Sequence, residues 1–267
     1  MSTPARTPVP TRRAGNTGFP SLLAAEVIKL KRSSVWVVAV LLPLLAVVTG
    51  TFNFYRNQGV FSAEWGVLTS QISLFYSMFF CSLGVALLAS AAWRMEHRGT
   101  SWNAMRTSPY SPVSVVLAKT MVIMLPVLTM QVAFIVLAWI SGAFVMGLGP
   151  AMPGTIVASN LLAVVSIIPL IALQSLLSML MRSFAAPVAL GFVGCIIGFG
   201  LLAAQSSLAY ATPQGLVSMT LSLGSTALTA GELDAASMVP LLLSIVGVGA
   251  VMWGLLVLVA RRTDGVR

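Results

Sequence analysis

Charge is what this sequence has least of. Only 8% of its 267 residues are Asp, Glu, Lys or Arg, against roughly 25% in a soluble globular domain. So few charges cannot clothe a water-facing surface, and with 58% hydrophobic residues the solvent that fits is a bilayer. The single histidine, His97, excludes a histidine-based metal cluster and the paired histidines of an intramembrane metalloprotease. The two cysteines, Cys81 and Cys195, both lie in apolar runs, and neither belongs to a pair with metal-ligand spacing. No G-x-x-x-x-G-K-[ST] occurs, so this chain has no P-loop for ATP. Acids clustered for Mg²⁺, as a membrane phosphotransferase needs, are missing too. The six acids are Glu26, Glu64, Glu96, Glu232, Asp234 and Asp264, and each falls in a flank, loop or tail. Carriers driven by protons or ions keep ionisable groups inside the bundle as a relay. This bundle is expected to be free of buried charge, so any work it does must be powered by another polypeptide.

What the sequence has in quantity is long apolar runs. A membrane helix needs about 20 such residues, and six runs qualify: 35–54 (with Pro43 inside), 67–93, 113–146, 155–181, 185–205 and 238–260. The fold class is therefore an all-α membrane protein with six transmembrane helices. The third run is too long for one straight span, which implies tilt, and Lys119 places its first two turns at the membrane interface. Residues 1–20 are rich in Pro, Thr and Arg without an apolar core or a small-residue cleavage signature, and are expected to form a disordered cytoplasmic tail. Residues 21–34 read as an amphipathic connecting helix, 35–260 as the six-span domain and 261–267 as a second cytoplasmic tail. The spans contain Gln71, Gln131, Asn160 and Gln174 and several serines.

A net charge of +9 would suggest nucleic acid in a soluble protein. Here the basic residues flank apolar runs, which points to topology and not to nucleic acid. Fourteen of the fifteen Lys and Arg lie on one side of the six spans, and only Arg56 lies on the other. The positive-inside rule then puts both termini in the cytoplasm, as an even number of spans also requires. The Ala- and Val-rich composition and the lack of periplasmic elaboration point to a bacterial plasma membrane. The outer loops are 55–66, 147–154 and 206–237. In the last, Thr212 can cap a helix with Pro213 at its first position. Leu216, Met219, Thr220 and Leu223 share one face of it, and Ser218, Ser222 and Ser225 another. Such a helix lies at the outer interface or dips back into the membrane. Gly194 and Gly198 form a G-x-x-x-G in the fifth run, and Gly247, Gly249 and Gly254 punctuate the sixth, where small residues let helices approach closely.

Two cytoplasmic segments are built for contact. In residues 21–32, Leu23, Val27 and Leu30 share a helical face while Glu26, Lys29 and Arg32 lie opposite, with Glu26 and Lys29 spaced for a weak ion pair. In residues 93–112, Gly99 can break the helix leaving the second span and Thr100 can cap a short new one. Trp102, Met105 and Arg106 then share a face of the kind enriched at protein interfaces, Pro109 stops the helix, and Ser111-Pro112 starts the third span. A short rigid helix between two spans can pass a push from a soluble partner to both.

These residues resemble a family. The run A-E-V-I-K-L-K-R-S before the first span is similar to the connecting helix of type-2 ABC exporter permeases. Glu96, Gly99, Thr100, Trp102, Pro109 and Lys119 are similar to the segment that follows their second span, and Trp102 is most similar to the lantibiotic-immunity and bacitracin-resistance branch. The six-span layout with a large last outer loop matches across nearly the whole chain. The resemblance implies two permease subunits, identical or related, assembled with two separate ATPase subunits that carry the ATP and Mg²⁺, so that the permease itself has no cofactor and no catalytic residue. It implies that residues 96–109 are a coupling helix docked on the ATPase. It further implies outward transport, in the immunity branch of an amphipathic antimicrobial peptide. Two other readings remain open: a permease of the same fold exporting a lipid or polysaccharide precursor, and a membrane scaffold or sensor without an ATPase.

Overall fold

The computed structural model describes residues 18–31, 33–97, 110–228 and 230–265. The coupling-helix residues Gly99, Thr100, Trp102, Met105, Arg106 and Pro109 lie outside them, as does Arg32. Among the described residues there are eight helices and no strands. They are α1 (Phe19–Lys31), α2 (Val35–Arg56), α3 (Trp65–Arg94), α4 (Pro112–Val145), α5 (Gly154–Leu180), α6 (Ala185–Ala203), α7 (Pro213–Leu221) and α8 (Ala235–Gly265). Six of them, all but α1 and α7, are long and apolar enough to cross a membrane.

The starts of two helices follow from their first residues. Ser111 Oγ accepts the backbone N–H of Ser114 at 3.1 Å with Pro112 in the first turn of α4. Thr212 Oγ1 accepts that of Gly215 at 3.2 Å with Pro213 opening α7. Each hydroxyl satisfies a backbone donor that a helix start leaves unpaired.

α3 is the inner helix of the bundle and packs against α2, α4, α5, α6 and α7. Over its most apolar stretch 61% of it is buried, against 11% for α8 at the rim. Val and Leu side chains that point outward, such as Val48 on α2 and Leu243 and Val246 on α8, fit hydrocarbon surroundings and not water. The helices α2 and α3 cross closely at Gly50, and a loop at one end of the bundle is tied down by indoles: Trp65 Nε1 donates to Leu148 O and Trp139 Nε1 to Pro150 O, both at 3.1 Å.

The end helix α7 dips back among the spans. All nine residues from Pro213 to Leu221 are buried between α5 and α6 and against α3. The face carrying Leu216, Met219 and Leu223 joins an apolar cluster with Leu241 and Ile245 of α8. The opposite face meets α3 where it widens to a π-turn at Tyr76–Phe80: Ser218 Oγ donates to Ser77 O at 3.0 Å. A π-turn frees a carbonyl from the helical ladder, and the serine takes it up. The G-x-x-x-G of α6 receives α7 through Gly194 and Gly198, which both face Gln214.

Two expectations from the sequence need correction. Glu26 does not lie on the solvent face of α1: the buried stripe is Leu22, Glu26 and Leu30, with Leu23 and Val27 half-buried beside it and Lys29 at the rim. The stripe of Leu23, Val27 and Leu30 sits on the edge of that face because α1 packs along α4, where Leu22 meets Val115 and Ala118. Nor is the bundle free of buried charge. Glu26, Glu96 and Lys119 are all enclosed by protein at the α1 end, because flanking segments distant in sequence fold onto one another.

Candidate functional site

At the α1 end, four ionisable side chains from three parts of the chain meet. Glu26 comes from the buried stripe of α1, Lys29 from the next turn, Glu96 from the turn just beyond α3, and Lys119 from two turns inside α4. Lys119 Nζ donates to Glu26 Oε2 at 2.9 Å and to Glu96 Oε1 at 2.8 Å. Lys29 Nζ donates to Glu26 Oε1 at 2.6 Å and to Glu96 Oε1 at 2.9 Å. Two carboxylates and two ammonium groups thus close a neutral ring. The Lys119 side chain is 1% exposed and those of Glu96 and Glu26 are 4% and 7%, whereas Lys29 at 38% reaches water. Charges this deep persist only when paired and hydrogen-bonded. The Lys119 ammonium also stands 5.1 Å from the ring centre of Trp93, the largest fully buried side chain among the described residues, in a cation–π contact.

The same short stretch is held on its other side. His97 Nε2 lies 2.9 Å from Ser178 O near the end of α5, and Ser90 and Ser178 hydroxyls meet at 3.0 Å. Beneath, Trp93 packs with Val116 of α4, Ala172 and Met179 of α5, and Leu256 and Ala260 of α8. The chain entering residues 98–109 is therefore clamped to α1 and α4 by Glu96 and to α5 by His97.

The electrostatics follow from the ring. Burial works against ionising Glu96, but the charges and hydrogen bonds of Lys119 and Lys29 outweigh it and hold its pKa below the ordinary 4.5. Burial likewise opposes charging Lys29, yet its bonds to Glu26 and Glu96 hold its pKa above the ordinary 10.5. A lowered carboxylate pKa stabilises the fold above its unfolded value, and that contribution is lost as pH falls through the folded value. A raised lysine pKa stabilises below its unfolded value, and is lost as pH rises through the folded one. The melting temperature of the purified protein in detergent should hence be flat between these limits and drop below pH 4.5. Glu96→Gln should remove part of the acid limb, and an acid limb identical in the two proteins would rule out Glu96 as a source of it.

Of the residues the sequence points to, the ring joins Glu26, Lys29, Glu96 and Lys119, and Leu23, Val27 and Leu30 pack against the main core beside them. Trp93 and His97 complete the site. The spacing of Glu26 and Lys29 announces one edge of the ring. A lysine two turns inside an apolar run, with acids in two flanks, is the only local signal for the rest.

The family model for "ABC-2 family transporter protein" matches residues 22–198, well over half of the chain and all four members of the ring. The chain belongs to the ABC-2 transporter family. Permeases of this family are membrane components of ABC transporters, so this ABC-2 protein is a multi-pass membrane transport component. The match ends within α6, before α7 and α8. No curated protein matches the chain.

Proposed function

We propose that this ABC-2 protein is the permease subunit of an ATP-driven exporter, that two ATPase subunits on separate polypeptides drive it, and that their stroke enters through residues 96–109. Its partner in the membrane is a second permease subunit, identical or related, and both termini face the cytoplasm of a bacterium. The observation that carries this reading is the buried ring of Glu26, Lys29, Glu96 and Lys119. It supports a mechanical role because residue 96 cannot move without α1 and α4, nor its neighbour His97 without α5. A displacement of the segment that follows is thereby shared among three helices instead of being absorbed in a loop.

The cargo we propose is a hydrophobic or amphipathic molecule, an antimicrobial peptide in the first place. A groove of about 590 Å³ between α2 and α4, lined mostly by apolar side chains such as Leu44, Val48, Phe52 and Ile140, supports such a cargo. Its polar atoms include the hydroxyls of Thr51 and Ser141, which bond each other at 2.6 Å.

An ATPase should co-purify with the tagged protein in near-equal amounts, and Trp102→Ala or Glu96→Gln should leave its ATP hydrolysis running while export falls at least about tenfold. Wild-type export by both variants would remove the coupling role, and absence of an ATPase from the complex would favour a scaffold or sensor. Cells lacking the gene should become sensitive to cationic peptides and not to unrelated drugs; the reverse pattern would refute the peptide cargo.

A further inference from the structure

A second site lies beside the ring and shares only Lys29 with it. Where the elbow between α1 and α2 passes the ends of α3 and α6, a cavity of about 410 Å³ opens. Its polar side is formed by Ser33, Ser34, Arg94 and the exposed edge of Lys29, and its apolar side by Val38, Leu87, Ala91 and Phe184 among others. We propose that this cavity binds the phosphate headgroup of an anionic phospholipid, with the upper acyl chain against its apolar wall.

Arg94 decides the chemistry. Its guanidinium stands over the ring of Phe184, 5.4 Å from the ring centre, in a cation–π contact. Among the described residues no carboxylate is within ion-pair distance of it, since Glu26 and Glu96 are both taken by the two lysines. The neighbouring ring is neutral, so Arg94 leaves the cavity with an uncompensated positive charge and a planar set of donors that matches phosphate oxygens. Two serine hydroxyls stand at the same mouth, and α2 begins there at Ser34, whose side chain makes no capping bond. The site also lies at the ends of three membrane-spanning helices, which is headgroup depth. Basic pockets between helices at that depth recruit phosphate headgroups. The apolar wall would be wasted on a free inorganic anion.

The test is a lipid titration on the full chain purified in detergent and stripped of lipid, read as thermal unfolding by tryptophan fluorescence. The probes are dioleoylphosphatidylglycerol, dioleoylphosphatidylcholine and inorganic phosphate. Phosphatidylglycerol should raise the melting temperature saturably, and the other two should not. Arg94→Gln should weaken that response about tenfold, the scale of one charged hydrogen-bonded contact. Arg182→Gln, an exposed basic residue that does not line the cavity, should leave it unchanged. Ala91→Phe keeps the guanidinium but fills the apolar side, and should abolish protection by phosphatidylglycerol; it decides the matter if Arg94→Gln does not fold. An equal response of the cavity variants and the wild-type protein to phosphatidylglycerol overturns the proposal. So does protection by inorganic phosphate alone, which would make the site one for a free anion, or equal protection by phosphatidylcholine, which would make it a general effect of lipid.

Discussion

Lys119→Met is expected to cost the folded protein about 3–5 kcal/mol, the penalty for stripping a buried ion network of one partner. The substitution leaves two enclosed carboxylates, Glu26 and Glu96, facing Lys29 alone, and Lys29 is the member most open to water and so the most weakly attracting. Met fills the space but neutralises nothing, and the Trp93 ring loses its cation. Unfolding of the purified protein by denaturant in detergent measures the loss. The paired variant Lys119→Met with Glu26→Gln returns the site to neutrality and should recover at least half of it. Simple addition of the two single costs would show that the four residues do not act as one unit. The pair also separates stability from coupling: it should restore the fold without restoring export, since residue 119 no longer ties α4 to residue 96.

Gly198→Ala should destabilise the protein by about 1–3 kcal/mol, as overpacking of a close helix contact does. A Cβ there would come within 2.6 Å of the Gly215 backbone nitrogen and 2.8 Å of the Gln214 carbonyl carbon. Backbone atoms of a helix buried on every side cannot step away as a flexible side chain can, so α7 itself must be displaced. Gly200 lies half a turn further along α6, and a Cβ there meets nothing within 4 Å. Gly200→Ala should therefore go the other way, stabilising by about 0.4–1 kcal/mol through a stiffer unfolded chain and better helix propensity. Melting temperatures of the two variants against wild type settle the contrast. Equal shifts of one sign would mean that α7 does not seat on α6 at this point.

Part of this molecule is legible one helix at a time. The six spans follow from run length and apolar content, because transfer of a helix into hydrocarbon depends on the sum of its own residues and little on its neighbours. The starts of α4 and α7 are legible for a similar reason, as Ser111-Pro112 and Thr212-Pro213 cap within their own first turn. The bond between Glu26 and Lys29 is likewise a matter of helical spacing.

The rest needs the faces to meet. Nothing local turns Glu26 inward: its neighbours Leu23, Val27 and Leu30 suggest another face, and only the seating of α1 along α4 brings it to Lys119, 93 residues away. The same holds for α7, whose alternating apolar and hydroxyl faces suit a membrane interface until the π-turn of α3 offers Ser77 O to Ser218 and the glycines of α6 make room for Gln214. By itself the sequence determined that this is an all-helical membrane protein with six long apolar spans, since composition and run length act through additive transfer energies. Only the tertiary structure decided that Glu26, Lys29, Glu96 and Lys119 meet in one ring, because an ion pair in a low-dielectric interior depends on the meeting of two distant surfaces to within about an ångström.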